Sequence, residues 1–176
     1  YTLSLHDALP IYDNNFARLF IKNNLRVGKD GPRAVDRKLK QKGLAADVIQ
    51  EALYEIEDEE WIDAGLRLVH SLIHQVGKLS YKDIKQKALT KLRAHGFDQE
   101  LGELVIEKLD LENDEDDQIE ALKKQGSKAW RRYRRDEDFK RKQKVKRYLF
   151  QHGFSSSEID SFLNGEVVDL EEIDEY

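Results

Sequence analysis

The chain of 176 residues carries a formal net charge of −5, and 37% of its residues are charged against 39% that are apolar. It has no cysteine, which excludes disulfides and thiolate chemistry and fits a reducing, cytoplasmic environment. No stretch approaches the roughly 20 apolar residues that a membrane span needs, and the scarcity of proline favours helices.

The first residues differ from the rest of the chain. The stretch "YTLSLHDALPI" at 1–11 lacks the basic start and long apolar run of a secretory signal. It is similar to translated sequencing-adapter sequence of the kind found at the ends of assembled fragments. We therefore predict that residues 1–12 are foreign or disordered, with a genuine but irregular N-terminal arm as the alternative.

A first three-helix repeat is predicted over 13–58. Its first helix, "DNNFARLFIKNNL", is expected to turn its large apolar residues inward, namely Phe16, Leu19, Phe20 and Leu25. The second helix would have Pro32 in its first turn, where proline is tolerated, and would end at Gly43. The third helix would bury Ile49 and Leu53.

A second repeat is predicted over 59–114. In its first helix the expected core residues are Trp61, Leu68, Leu72 and Ile73. Ser80 with Asp83 has the spacing of a capping box at the start of the second helix, and Asp98 is placed to cap the third.

A third repeat is predicted over 115–165, followed by an acidic tail over 166–176. The expected core residues of its first helix are Ile119, Leu122, Ala129, Trp130 and Tyr133. Ser155 with Glu158 has the spacing of a capping box at the start of its third helix.

The three repeats share one short phrase at the junction of their second and third helices. A leucine lies four residues before a glycine, and a small apolar residue lies four residues before that leucine. The glycines are 53 and 57 residues apart, which leaves room for three helices per repeat. This spacing predicts one buried helix face that ends at a glycine cap. The structural glycines are Gly43, Gly96 and Gly153.

Charge is segregated along the chain. Residues 128–147 hold eleven Lys and Arg against three Asp and Glu, a local net charge of +8. Residues 18–42 hold nine basic residues, whereas 43–63 and 153–176 each hold eight acidic residues and no basic ones. If the repeats stack, one basic flank and one acidic flank are expected, suited to phosphate and to a basic protein partner respectively. Solubility and helix-dipole effects are the alternative for any single residue.

The basic segments supply the candidate partner and DNA contacts. Arginines interleaved with aromatic residues, as in "SKAWRRYRRDEDFKRKQKVKR", could also stack on exposed bases. The candidate contact residues are Lys128, Arg131, Arg132, Arg134, Arg135, Lys140, Arg141, Lys142, Lys144, Arg18, Lys22, Arg33 and Arg37.

The chain carries no recognisable catalytic pattern. His70 and His74 are one helical turn apart, but no Glu follows His70 and no third metal ligand is indicated. There is no phosphate-binding glycine loop and no nucleophile elbow. We therefore expect neither an enzyme nor a cofactor, metal or small-molecule substrate.

The chain resembles the RecX recombination regulators. The resemblance rests on "NNFARLFIKNN", "GPRAVDRKLKQKGL" and "VIQEAL" in the first repeat and on "KLRAHGF" and "KRYLFQHGFSSSEI" in the later ones, and it spans about 13–165. It implies an elongated, curved, all-helical tandem array of three three-helix repeats. It also implies binding to the RecA filament on single-stranded DNA, with strand exchange, coprotease and ATPase activity modulated and mainly inhibited, in DNA repair and the SOS response.

Two other functions are consistent with the same features. One is a helical-repeat nucleic-acid-binding protein without a dedicated recombinase partner, which would hold single-stranded DNA on its basic flank. The other is a helical scaffold that recognises peptides, which would need a contiguous apolar groove.

Overall fold

The computed structural model of the protein describes residues 5–111 and 114–175, and from residue 12 onward it describes side chains as well. Residues 1–4 of the predicted N-terminal segment and Tyr176 of the predicted tail lie outside the described part. Over the described ranges the fold is all-α, as predicted. Its elements are α1 Leu5–Val27, α2 Pro32–Gln41, α3 Ala46–Tyr54, α4 Asp58–Val69, a 3₁₀ helix His70–Gln75, α5 Tyr81–Ala94, α6 Gln99–Lys108, α7 Glu115–Arg132, α8 Asp138–Gln151, α9 Ser156–Leu163 and α10 Leu170–Glu175.

The described residues form two compact units. Compact unit 1 comprises the described residues 5–70 and 88–110, and compact unit 2 comprises the described residues 71–87, 111 and 114–175. Helix α5 contributes to both units. None of the described helices is long and apolar enough to cross a bilayer.

Compact unit 1 is built on α1 and α4. Helix α1 packs against α3 and α4, α2 packs against α3, and α4 packs against α6. The fully or almost fully buried side chains of this unit include Ala17, Ile21, Val35, Leu39, Ile49, Trp61, Ala64, Leu68, Leu92, Phe97 and Val105.

The predicted inner face of α1 is wrong in its register. Phe16 and Leu19 are 43% and 69% exposed, whereas Ala17 and Ile21 are fully buried, and Leu25 is buried as predicted. The buried stripe follows the close approach of α1 to α3 and α4, which small Ala17 permits and a phenylalanine would prevent. The largest apolar residues of a helix therefore do not have to mark its buried face.

Compact unit 2 has one apolar cluster formed by α7, α8, α9 and α10. Helix α7 packs against each of the other three. Leu122, Ala129 and Trp130 are buried as predicted. Their buried neighbours are Ala121, Val145, Leu149, Phe154, Ile159, Phe162 and Ile173.

The repeated phrase is a Schellman motif, in which the last helical turn closes through a glycine at positive φ. At Gly153 (φ 86°), the glycine N–H donates to the carbonyl of Phe150 and the N–H of Phe154 donates to that of Leu149. Gly43 and Gly96, with φ of 89° and 85°, close their turns in the same way. The phrase needs a leucine four residues before the glycine and an apolar residue after it because these two residues are joined across the turn. We call these three segments the glycine turns.

The helix caps follow the sequence closely. Ser155 and Glu158 form a capping box, Asp98 caps α6, and Pro32 is the first residue of α2. Ser80 Oγ accepts from the N–H of Asp83, as a cap does. The Asp83 carboxylate is 3.1 Å from Nδ1 of His152.

Two of the glycine turns are packed against the start of another helix. Inside compact unit 1, the N–H of Gly31 donates to the carbonyl of His95 and that of Arg33 donates to the carbonyl of Gly96. Inside compact unit 2, Ser80 Oγ donates to the carbonyl of His152. We call each such pairing of a glycine turn with a helix start a joint.

The acidic tail predicted over 166–176 contains a packed helix. Helix α10 lies against α7, and its Ile173 is 5% exposed within the apolar cluster of compact unit 2. A single isoleucine in "DLEEIDE" is a weak signal, so the sequence did not predict that this acidic segment packs.

Candidate protein and nucleic-acid interface

The outer face of α7 is a cationic surface. Lys124, Lys128 and Arg131 follow one another at helical spacing, and Lys123 and Ser127 complete the lining. Lys124 forms an ion pair with Glu120 at 2.8 Å. No described carboxylate lies within salt-bridge distance of Lys123, Lys128 or Arg131. Apart from Lys124, whose charge is balanced by Glu120, the cations of this surface are therefore uncompensated among the described residues.

The segment that follows α7 extends the same charge. Arg134 and Arg135 are exposed, and no described acidic side chain pairs with them. The Arg132 guanidinium and Lys144 Nζ lie 5.6 and 5.4 Å from the Tyr133 ring centroid, which is cation–π distance. Tyr133, predicted as core, is half-buried.

The lysines of α8 are mostly neutralised by neighbouring acids. Lys142 pairs with Asp138 at 3.2 Å, and Lys144 pairs with Asp136 at 2.8 Å. Lys140 is exposed and has no such partner among the described residues. Pairing lowers the net charge that α8 offers to a polyanion, so the free cations are concentrated on α7 and the turn after it.

Arg141 does not belong to this surface. The sequence grouped it with the contact residues, but its side chain is buried and lies with its guanidinium 3.8 Å from the Trp130 ring centroid. The guanidinium donates to the Trp130 carbonyl at 2.8 and 3.1 Å and to the Asp174 carboxylate at 2.9 Å. Since all these donors are used inside compact unit 2, Arg141 acts as a structural residue and is removed from the candidate interface.

The same contact controls the ionisation of Asp174. The hydrogen bond from Arg141 lowers the pKa of this carboxyl, with smaller contributions from the charge of Arg141 and from the indole N–H of Trp130. The lowered pKa means that ionised Asp174 stabilises the folded state.

A pH-dependent loss of stability follows from this direction. A carboxyl with a lowered folded pKa stabilises above its unfolded value of about 3.9, and the stabilisation is lost as the pH falls through the folded pKa. We expect Asp174→Asn to lower the midpoint of urea unfolding at pH 7. The difference between its midpoint and that of wild type should vanish as the pH falls through the folded-state pKa of Asp174. A difference that stays constant from pH 7 to the acid limit would contradict the pairing. Glu172→Gln, at an exposed acid of α10 whose side chain has no described partner, is the matched control.

The candidate contacts of compact unit 1 are divided in the same way. Arg18 pairs with Glu55 at 2.5 Å, and Arg33 is 4.0 Å from Asp98. Lys22 and Arg37 are exposed without a described acidic partner. In contrast to the cationic surface of α7, the groove at α2, α3, α4 and α6 is lined mainly by acidic and apolar residues.

The sequence reasoning missed Lys123 and Lys124 as part of the basic surface. The charge count defined the basic segment as residues 128–147, which begins after both lysines. Lys124 is nevertheless four residues before Lys128 and seven before Arg131. Helical spacing, rather than local charge density, was the signal that would have included them.

Comparison with family models gives two matches. Residues 13–53 match the second three-helix domain of RecX, and residues 115–163 match the third. These ranges contain the first and third glycine turns.

Curated proteins give the same result. The chain is 92% identical over 164 residues to the regulatory protein RecX of Lactobacillus gasseri and 79% identical to that of Lactobacillus johnsonii. Each alignment covers 93% of this chain and 60% of the relative, so the chain spans well under two thirds of their length. The regulatory protein RecX of Bacillus subtilis is 33% identical over 162 residues, which is 92% of this chain and 61% of that protein.

A solved structure supports the helical-repeat fold. The crystal structure of RecX from Lactobacillus salivarius superposes with a TM-score of 0.53 at 24% identity, over 57% of this chain and 65% of that one. The family matches and the closely identical regulatory proteins identify this chain as a member of the RecX family.

Proposed function

We propose that the chain regulates the RecA recombinase by binding its filament in the bacterial cytoplasm, and that it mainly inhibits strand exchange, ATPase and coprotease activity. Membership of a family of regulatory proteins supports this proposal. RecA is proposed as the partner because of the resemblance to the RecX recombination regulators. The basic surface after residue 122 is proposed as the part that meets the filament.

The observation that carries the proposal is the separation of free from neutralised cations. The unpaired cations of α7 and the following turn are exposed on compact unit 2, whereas three of the four α8 lysines are paired with acids. A paired lysine must give up its partner before it can bind a phosphate or an acidic protein surface, and a free arginine does not. Binding should therefore depend on α7 and its turn.

The test is neutralisation of the free arginines. The variant that replaces Arg131, Arg132, Arg134 and Arg135 with Gln should co-sediment more weakly with RecA filaments on single-stranded DNA. If each arginine contacts phosphate, the log–log dependence of affinity on salt should flatten by about 0.7 per arginine. Inhibition of strand exchange should weaken in parallel.

The matched control removes the same number of charges from paired lysines. It replaces Lys40, Lys142, Lys144 and Lys146 with Gln, each of which has an ion-pair partner. We expect its filament binding to remain much closer to wild type. Equal loss in the two variants would mean that net charge, not this surface, controls binding, and an unaffected arginine variant with an intact fold would exclude the surface altogether.

The second candidate function is binding to nucleic acid without a dedicated recombinase. The same free cations favour it, because a surface of lysines and arginines also suits a bare phosphate backbone. Comparison of bare single-stranded DNA with the RecA-coated strand at two salt concentrations distinguishes the two functions. An affinity for bare DNA about tenfold higher than for the filament would favour this second function and contradict the first.

A further inference from the structure

The two joints inside the chain share one chemistry. In each, the carbonyls beside a glycine accept from donors at a helix start, and a basic residue before the glycine faces an aspartate. His95 is 3.8 Å from Asp30, and His152 is 3.1 Å from Asp83. One half of a joint is thus a glycine turn with a basic residue before its glycine. The other half is a helix start that carries an aspartate.

The absence of a side chain on the glycine is a requirement of both joints. A Cβ on Gly96 would lie 2.4 Å from the backbone nitrogen of Ala34, and one on Gly153 would lie 2.8 Å from Cβ of Lys82. A glycine turn can thus approach a helix start only if its glycine is retained.

The first glycine turn has the composition of a joint half, and no described helix start packs against it. A Cβ on Gly43 would meet no described atom within 4 Å, and the exposed Lys42 stands where the other turns carry histidine. Neither carbonyl of Lys42 and Gly43 accepts a backbone hydrogen bond outside the helices. Phe16, beside Lys42, is 43% exposed.

The start of α8 is the opposite half, and none of its backbone N–H groups donates to a described glycine turn. Glu137, its N-cap residue, makes no side-chain capping bond, and Asp138 and Phe139 are exposed, the latter by 74%. Asp136 pairs with Lys144 eight residues later, as Asp30 pairs with Lys38 at the start of α2. The start of α8 therefore reproduces the acid and lysine arrangement of a helix start that does hold a glycine turn.

We propose that these two halves bind each other between copies of this chain, with the Gly43 turn of one copy on the α8 start of the next. Lys42 would face Asp136, as His95 faces Asp30 within compact unit 1. The halves are different surfaces, so the contact is heterologous and each added copy leaves one half of each kind free. Association should therefore continue beyond a dimer or close into a ring. This inference does not depend on the proposed regulatory function.

The test uses the 176-residue chain in sedimentation velocity and light scattering over a concentration series. Gly43→Asn blocks the glycine turn, because asparagine tolerates positive φ while its side chain fills the space that the partner must enter. Phe139→Arg blocks the helix start by removing the apolar contact and repelling Lys42. Both sites are exposed, so the fold should persist. Tyr54→Arg, at an aromatic residue that is 92% exposed elsewhere, is the matched control.

The proposal predicts a mass that rises with concentration for wild type and for Tyr54→Arg, and association weakened by about tenfold or more in each blocked variant. A mixture of Gly43→Asn with Phe139→Arg should give a dimer that grows no further, because each variant keeps one intact half. The proposal is overturned if wild type is monomeric at about 100 μM, if Gly43→Asn associates as well as wild type, or if the mixture forms no dimer.

Discussion

Valine in place of Gly96 or Gly153 is expected to destabilise the fold by about 3 kcal/mol or more, whereas valine at Gly43 should cost only about 1–2 kcal/mol. All three glycines have positive φ, so each substitution incurs the strain of a left-handed conformation. Only Gly96 and Gly153 are in joints, where a Cβ would collide with Ala34 or Lys82 respectively. The difference among chemically identical substitutions therefore measures the close approach alone.

Urea unfolding followed by circular dichroism measures these costs. Asparagine at the same three positions is the control, because it tolerates positive φ but still introduces a Cβ. We expect asparagine to be mild at Gly43 and damaging at Gly96 and Gly153. Equal costs at all three positions would show that the joints have no steric requirement for glycine.

Arg141→Ala is expected to destabilise compact unit 2 by about 2–3 kcal/mol, although the residue lies in a strongly basic segment. The change leaves the buried carbonyl of Trp130 without its two donors and removes the cation from the face of the indole ring. It also frees Asp174 from the hydrogen bond that lowers its pKa. Helix α10 would then be held mainly by Ile173.

Lys140→Ala is the matched control, since Lys140 is the exposed neighbour of Arg141. Its unfolding free energy should stay within about 0.5 kcal/mol of wild type. Arg141→Lys should recover only part of the loss, because an ammonium lacks the planar fork that reaches both the carbonyl and the carboxylate. An Arg141→Ala variant as stable as wild type would contradict a structural role for this side chain.

The sequence predicted the features that arise from local chemistry. Positions four residues apart, such as Val35 and Leu39 or Val145 and Leu149, are fully buried as the periodicity indicated. The glycine turns and the capping box at Ser155 also depend only on residues within one or two helical turns. Such patterns can be read without knowing what the helix packs against.

The errors concern residues whose position is decided by distant neighbours. The outward rotation of Phe16 depends on how closely α3 and α4 approach α1, and the burial of Arg141 depends on Asp174, 33 residues away. Arg141 is also four residues before the buried Val145, so the helical period itself placed it on the inner face. Its charge led to the opposite interpretation, because a buried arginine needs partners that its own helix does not supply.

Each compact unit contains one of the two tryptophans of the chain, Trp61 in the first and Trp130 in the second, and both are at least 96% buried. Each unit thus has its own intrinsic fluorophore. Replacing one indole by phenylalanine leaves an emission signal that reports on a single unit, so the order in which the two units open can be followed without an attached dye.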